Sequence, residues 1–252
     1  MESLAMKGKA FALYVMTCFL CCCLYGQQCD SLPRTDYTHD FRFSGVLLPS
    51  ALIGYGTAVT FFPDLQQMNV AVKDWSQEKI RTVTTVDNFL QFAPVAGVYA
   101  LNGCGVRGTH RLGDLTALTA LSYILGTGVN TGIKYSTRVL RPDGSAHNSF
   151  PSGHTMTAFV GAEILRREYG HEHPWLAVGG YTVAAAVGML RMSNNRHWMA
   201  DVFAGAGIGM LSTSLVYWTY PYLRDLVASS GNCTGYLTWS SGAMLMTASL
   251  KF

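Results

Sequence analysis

Three short stretches of this chain hold residue types suited to managing a phosphate group. The first is Lys134-Tyr-Ser-Thr-Arg-Val-Leu-Arg141-Pro142. Lys134 and Arg141 stand two helical turns apart, so both cations can share one helix face. Pro142 ends that pattern and biases Arg141 toward extended backbone. Taken alone, the pair also fits basic side chains snorkelling at a membrane edge. The second stretch is Phe150-Pro151-Ser152-Gly153-His154, opening an apolar run. Pro suits a helix start, and Ser with Gly leaves backbone N–H groups at the positive end of the dipole, with an imidazole one step in. Alone, it also fits a capped helix with a chance His. The third is Arg191-Met-Ser-Asn-Asn-Arg-His197-Trp-Met-Ala-Asp201. His197 and Asp201 are spaced i,i+4, so on a helix the carboxylate can hold one ring nitrogen and leave the other free, as in an activated His. By itself that spacing is common.

Taken together, the three stretches resemble the type 2 phosphatidic acid phosphatase superfamily, which includes bacterial acid phosphatases and vanadium haloperoxidases. Its signature, K-x6-R-P, then P-S-G-H, then S-R-x5-H-x3-D, is met in order with the right internal spacing. Lys134, Arg141 and Pro142 match the first part. Pro151, Ser152, Gly153 and His154 match the second, and Arg191, His197 and Asp201 the third. Leu190 stands where the family has Ser. The resemblance covers roughly Gly113 to Leu223. It implies a metal-independent phosphatase without a cofactor. Lys134, Arg141, Arg191 and the backbone of Ser152 and Gly153 would hold the phosphate. His197, oriented by Asp201, would attack phosphorus and become a phosphohistidine, and His154 would protonate the leaving alkoxide and then activate water. Arg138 and Arg196 lie beside these positions and match none of them; a solvated charge or a contact with a polyanionic head group fits either. The remaining histidines, His147, His171 and His173 among them, read as surface residues, and nothing near Glu163 argues a role for it.

The elements that must position these residues are apolar. Of the 252 residues, 49% are AVILMFWYC and 13% are charged, about half the charge usual in soluble domains. That excludes a disordered chain, a coiled coil and a nucleic-acid partner. The mean hydropathy of +0.19 is modest for a chain that is mostly span, so embedding is argued segment by segment. Leu115 to Ile133 and Val202 to Leu223 are uncharged and long enough to cross; Trp175 to Leu190 and Phe150 to Leu165 accompany them. The small residues of Ala204 to Gly209 suit close helix packing. Ser44 to Phe62 is uncharged but carries Pro49, and Phe89 to Val106 carries Pro94. Lys73 to Asn88 spaces Trp75, Ile80 and Val83 for one face of an interfacial helix. Lys7 and Lys9 before the run Ala10 to Leu24, with Gly26 after it, read as a secretory signal, because the run is short for a span. Five of the seven cysteines precede residue 30, so at most one intrachain disulfide, among Cys29, Cys104 and Cys233, would follow cleavage. Asn232-Cys233-Thr234 matches a glycosylation sequon. The tail from Gly235 alternates and suits a short hairpin.

The expected architecture is an all-α, membrane-embedded helical bundle of the type 2 phosphatidic acid phosphatase and vanadium haloperoxidase kind, with a short C-terminal β-hairpin. The divisions are 1–26 signal, 27–112 N-terminal helices and interfacial segment, 113–223 catalytic core and 224–252 tail. Antiparallel helices bring the three stretches to one membrane face. The other face receives Arg107, His110, Arg111, Arg166, Arg167 and Arg224, marking it cytoplasmic by the positive-inside rule and the catalytic face periplasmic. A cleaved signal followed by two full spans would reverse this, so either Phe89–Val106 or the Pro49 run does not cross or the Lys7 segment is not a simple signal. The signal is kept, and Phe89–Val106 or the Pro49 run is expected not to cross, the former by preference. A membrane-face pocket selects amphiphilic phosphate esters: a lipid A phosphate (1- or 4'-), undecaprenyl pyrophosphate or phosphatidylglycerophosphate. A soluble periplasmic acid phosphatase, a vanadate-dependent haloperoxidase and a non-catalytic membrane protein are the competing classes, and the last has no use for His154, His197 and Asp201 at these spacings.

Overall fold

The computed structural model describes residues 44–80, 84–230, 233–240 and 243–250. The expected signal, the N-terminal cysteines and Asn232 lie outside them. Eight helices are described: α1 (Ser44–Phe61), α2 (Pro63–Lys79), α3 (Asp87–Leu90), α4 (Ala93–Gly103), α5 (Leu112–Thr137), α6 (Gly153–Tyr169), α7 (Pro174–Ser193) and α8 (Met199–Ser230). A hairpin follows, β1 (Cys233–Ser240) and β2 (Ala243–Leu250), antiparallel with Trp239 opposite Met244. Prolines punctuate the helices where a missing N–H costs least. Pro63, Pro94 and Pro174 sit in the first turns of α2, α4 and α7. Pro49 does not break α1, which runs unbroken through it.

Among the described residues, α5, α7 and Met199–Asp225 of α8 are long and apolar enough to cross a membrane, and the pair α1 and α2 meets the same test with a 98° bend between them. The protein is a membrane-embedded multi-helix bundle. Glycines set its close approaches. On α8, a Cβ on Gly205 would lie 2.5 Å from the Ser152 carbonyl and one on Gly209 2.6 Å from that of Met156, so α6 packs almost backbone to backbone there. Gly207, on the neighbouring face, meets the Pro49 carbonyl of α1, and Gly56 of α1 meets Ala200. The small-residue stripe therefore serves two partners at once. Gly161 of α6 receives α4 at Val95 in the same manner. Val98, Leu115, Leu118, Val160, Ile164 and Tyr217 fill the space between these contacts.

The close contacts also give each helix a direction. Gly45 lies by Trp218 and Gly56 by Ala200, so α1 runs antiparallel to α8 and ends where α8 begins. The ends carrying Lys134, His154, Arg191 and Asp201 meet; call this the catalytic end. At the far end, Tyr220 Oη donates to Asp114 at 2.6 Å and His110 Nδ1 lies 2.8 Å from Glu168 Oε1. His110 is buried there, not a surface residue as its sequence context suggests. Glu163 is buried too, and Arg166, Arg167, Tyr181 and Ser214 all bond it.

The segment Phe89–Val106 corrects one expectation. Asp87 lies at the catalytic end against Arg191. The Val98 and Val106 carbonyls accept from Tyr169 Oη, and Thr109 N donates to Glu168 O at the far end. The segment therefore traverses the bundle, although its longest helix, α4, has only 11 residues. Packing on α6, rather than an unbroken apolar helix, carries it across, which is why length and Pro94 misled. The expected interfacial helix is also shifted. It spans Pro63–Lys79 and does not reach Asn88, because Pro63 sets its start and Ile80 its C-cap. It lies across the catalytic end. Asn69 and Ser76 are buried against the bundle, Leu65, Met68 and Trp75 line one exposed flank, and Asp64, Asp74 and Glu78 stand on another.

Candidate active site

The loop after α5 is tied down by its own backbone. Arg138 caps the helix in the left-handed region at φ 49°. Arg141 N donates to Ala146 O at 3.0 Å and Ser149 N to Val139 O at 2.9 Å. Trp198 closes the loop from the far side, its indole N–H donating to Leu140 O at 2.9 Å. Lys73 of α2 donates to Pro142 O at 3.1 Å and sits 5.3 Å from the Trp198 ring centroid. Of the two cations expected here, Lys134 is therefore presented by the last turn of α5 and Arg141 by a fixed loop. Lys134 Nζ donates to Asn148 O at 2.7 Å, and Arg141 Nε to Asn148 Oδ1 at 2.8 Å. Arg141 is off the helix, so Pro142 breaks the shared face and Asn148 brings the pair together instead.

α6 enters beside them. Ser152 caps it, its Oγ accepting from Thr155 N at 3.5 Å and Thr155 Oγ1 at 2.9 Å. Ser152 N donates to Asp201 O at 2.9 Å. That N–H is committed to holding α6 against α8, which corrects the expectation that it faces a phosphate. With Thr155 N on Ser152 Oγ and Met156 N on Ser152 O, the N–H groups of Gly153 and His154 are the ones of the first turn that helix geometry leaves over. His154 follows, with Nε2 2.8 Å from Asn88 Oδ1.

The third stretch forms the turn between α7 and α8. Arg196 N and His197 N donate to Arg191 O at 3.1 and 3.3 Å, and Asn195 takes φ 56° to make this possible. His197 Nδ1 stands 3.3 Å from Asp201 Oδ2. The same oxygen accepts from Trp198 N at 2.9 Å and from Ser149 Oγ. Three donors thus hold one carboxylate oxygen, and His197 is left with Nε2 as its free nitrogen. Asp201 is fully buried and His197 4% exposed. Burial holds the His197 imidazole below its ordinary value, with the hydrogen bond to Asp201 pushing the other way. Burial, with Arg191 next, pushes His154 down to about 4. Both rings are neutral at pH 7, the form a nucleophile or base requires.

Lys134, Arg141, Arg191, Ser152, Gly153, His154, His197 and Asp201 all fall at the catalytic end. Arg196 pairs with Asp143 at 3.1 Å on the exposed loop. Sequence reasoning missed Asp87 and Asn88. Asp87 is buried and its Oδ2 lies 2.5 Å from Arg191 Nη1. An acid and an amide immediately before an uncharged run mark a helix junction like the other three, and that signal was present. Among the described residues no cluster of His, Cys, Asp or Glu is arranged to hold a metal ion. Cys104 is a free, exposed thiol.

Comparison with known proteins agrees with this geometry. Over 145 residues, 57% of this chain, it is 44% identical to the lipid A 1-phosphatase of Porphyromonas gingivalis, and the match covers 32% of that protein. Over 77 residues, 30% of this chain, it is 40% identical to the bacitracin transport permease protein BcrC of Bacillus licheniformis, covering 36% of it. The chain thus spans about a third of the length of the curated relatives it matches. The crystal structure of a transmembrane PAP2 type phosphatidylglycerolphosphate phosphatase from Bacillus subtilis superposes with a TM-score of 0.53 over 70% of this chain and 97% of that one, at 21% identity. It shares the fold. Residues 115–225 match the PAP2 superfamily, and with the three-part site at one end of this bundle, the chain carries a PAP2 superfamily domain.

Proposed function

We propose that this protein hydrolyses a phosphomonoester of a membrane lipid through a phosphohistidine, with lipid A, at its 1- or 4'-phosphate, as the substrate. One observation carries the reading: Lys134, Arg141, Arg191, His154 and the His197–Asp201 pair, drawn from three separated stretches, converge at one end of a membrane-embedded bundle. In the first step His197 Nε2 forms a bond to phosphorus as the bond to the lipid oxygen breaks. The leaving oxygen takes a proton from His154, which carries it in from solvent on meeting the phosphate dianion. In the second step water loses a proton to His154 as its oxygen bonds phosphorus and the P–N bond breaks. Lys134, Arg141 and Arg191 bear the charge on the equatorial oxygens throughout. The likeness to the Porphyromonas gingivalis protein supports lipid A and the 1-position.

The catalytic end faces the periplasm of a bacterial inner membrane in this reading, because exposed Arg107, Arg111 and Arg166, with half-buried Arg224, mark the far end. That orientation and a cleaved signal exclude each other. α1 starts at the far end, so a signal that left Ser44 in the periplasm would put the site in the cytoplasm. We hold to the orientation and read the Lys7 segment as uncleaved. Membrane-impermeant thiol labelling of Ser145→Cys, in a variant lacking the other cysteines, tests it; labelling only after the membrane is breached overturns it.

The function is tested by phosphate release from lipid A, undecaprenyl pyrophosphate, phosphatidylglycerophosphate and a soluble ester, using detergent-purified protein. Release from lipid A and an acid-labile phosphoprotein absent from His197→Ala are expected. Undiminished release by folded His197→Ala refutes the mechanism, and preference for another lipid refutes the substrate.

A further inference from the structure

The single turn α3 sends two adjacent side chains into the site from outside the matched domain. Asp87 reaches Arg191, and Asn88 Oδ1 lies 2.8 Å from His154 Nε2. We infer that Asn88 is a positioning residue that holds His154 with its proton on Nε2, making Nδ1 the atom that gives and takes the proton in the reaction. The inference rests on the acid–base role proposed for His154.

The reasoning is chemical. A neutral imidazole has one donor and one acceptor nitrogen, and the partner of one fixes the duty of the other. An amide oxygen only accepts, so it selects the Nε2–H form and leaves the lone pair on Nδ1. An amide NH2 turned the same way would select the opposite tautomer, but it would add donors to a crowded positive field. The charged and titratable groups facing His154 are Arg191 from α7, Asp87 from α3, His197 from the α7–α8 turn and Arg141 from the α5–α6 loop. Two of the four are permanent cations, and an oxygen directed at the ring offsets them. When His154 is doubly protonated in mid-reaction, the Nε2–H bond to Asn88 remains in place and becomes charge-assisted. The ring therefore keeps its orientation through both proton transfers.

α3 also explains how so short an element stays put. Arg191 anchors Asp87, and Asn194 brackets the preceding strand of chain, its Oδ1 accepting from Thr84 N at 3.1 Å and its Nδ2 donating to Thr84 O at 2.9 Å. The α7 end thus fixes both the phosphate-facing Arg191 and the segment that orients His154.

Three variants and one spectrum test this. Asn88→Leu keeps the branched shape and removes the acceptor; kcat should fall roughly 10- to 100-fold, the range for partners of a functional His, with KM nearly unchanged. Asn88→Asp should keep most of kcat and move the His154 limb of the pH–rate profile upward, since a carboxylate favours the charged ring. Asn88→Ala should resemble Asn88→Leu. In 15N-histidine-labelled protein, with His154→Gln for assignment, His154 should be the Nε2–H tautomer, and Asn88→Leu should lose that preference. Wild-type kcat and pH profile in folded Asn88→Leu, or an Nδ1–H tautomer in the wild type, overturns the inference. The spectrum is recorded without substrate, so it decides this point even if His197→Ala shows the proposed mechanism to be wrong.

Discussion

Replacing Gly205 with alanine should damage catalysis far more than it damages the fold. The new Cβ would lie 2.5 Å from the Ser152 carbonyl oxygen and 3.4 Å from Met156 N. Ordinary contact begins near 3.4 Å, so α6 and α8 must separate by about 0.9 Å at the point where α6 begins. Overpacking of this kind costs about 1–3 kcal/mol, and replacing a helical glycine returns up to about 1 kcal/mol. The net loss is about 1 kcal/mol, a drop in Tm of about 3 °C for a chain of this size. The catalytic cost is larger because the displaced atoms carry Gly153 and His154, and Ser152 N is bonded to Asp201 O. A misplacement near 1 Å at a reacting group costs roughly 100-fold in rate. Gly207→Ala supplies the comparison. Its Cβ meets the Pro49 carbonyl at the same 2.5 Å, but on α1, so its Tm should fall alike while its turnover stays near wild type. Gly128→Ala, inside α5 with nothing within 4 Å, should leave turnover unchanged and raise Tm by up to about 3 °C, the helical-glycine gain with no clash to offset it. Phosphate release and thermal unfolding in detergent measure all three. Equal turnover in Gly205→Ala and Gly207→Ala would refute the idea that the α6–α8 contact sets the site.

Three further outcomes follow from the same geometry. Asp87→Asn strips the buried partner from Arg191, whose Nε makes no hydrogen bond in the structure. Breaking a buried pair this way costs about 3–5 kcal/mol, and inorganic phosphate should recover more Tm in the variant than in the wild type, since the anion then replaces the lost carboxylate; equal recovery sinks this. His154 and His197 sit below 6.5 in the folded protein, so the unfolded chain binds protons first as pH falls. Stability should therefore decline from about pH 6.5 toward pH 4, and His154→Gln should flatten part of the slope; an unchanged slope in that variant removes His154 as a cause. Trp75, 55% exposed on the apolar flank of α2, should be quenched by brominated lipids in a variant retaining it as the sole tryptophan, and Trp75→Glu should lower activity on bilayer lipid but not on a soluble ester; an unquenched Trp75 refutes the interfacial placement.

The parts of this protein that could be read from its sequence are those whose information is local. Lys134, His154, Arg191, His197 and Asp201 were legible because each motif lies at a helix end and its spacing states its own geometry. The span of α5 and the small-residue stripe of α8 were legible for the same reason. What escaped reading depends on long-range pairing. Phe89–Val106 traverses the bundle because Gly161 lets α4 approach α6, and nothing within residues 89–106 reports a glycine on another helix. His110 looked exposed because its neighbours Arg107 and Arg111 are, but its partner Glu168 lies 58 positions away. Ser152 was given a phosphate-facing N–H because a helix N-terminus offers one; the Asp201 carbonyl that takes it belongs to α8.

That pattern bears on where specificity resides. The residues proposed to handle phosphate come from 134–201, inside the matched domain, and their chemistry is indifferent to what the phosphate is attached to. The groups that surround them come from outside it: Asp87 against Arg191, Asn88 against His154, Lys73 under Trp198 and Gln77 on the carbonyls of Met192 and Ser193. All four sit on α2, α3 or the segment joining them, and α2 lies across the catalytic end with its apolar flank exposed. Any lipid bringing its phosphate to Arg191 must pass this layer, and discrimination by unpaired polar groups there is steeper than discrimination by apolar contact. A chimera that keeps 115–225 and exchanges 63–92 for the matching segment of a relative with another lipid preference should therefore change substrate ranking while phosphohistidine formation persists. If ranking instead follows 115–225, the layer is only a scaffold, and the selecting contacts lie among the spans.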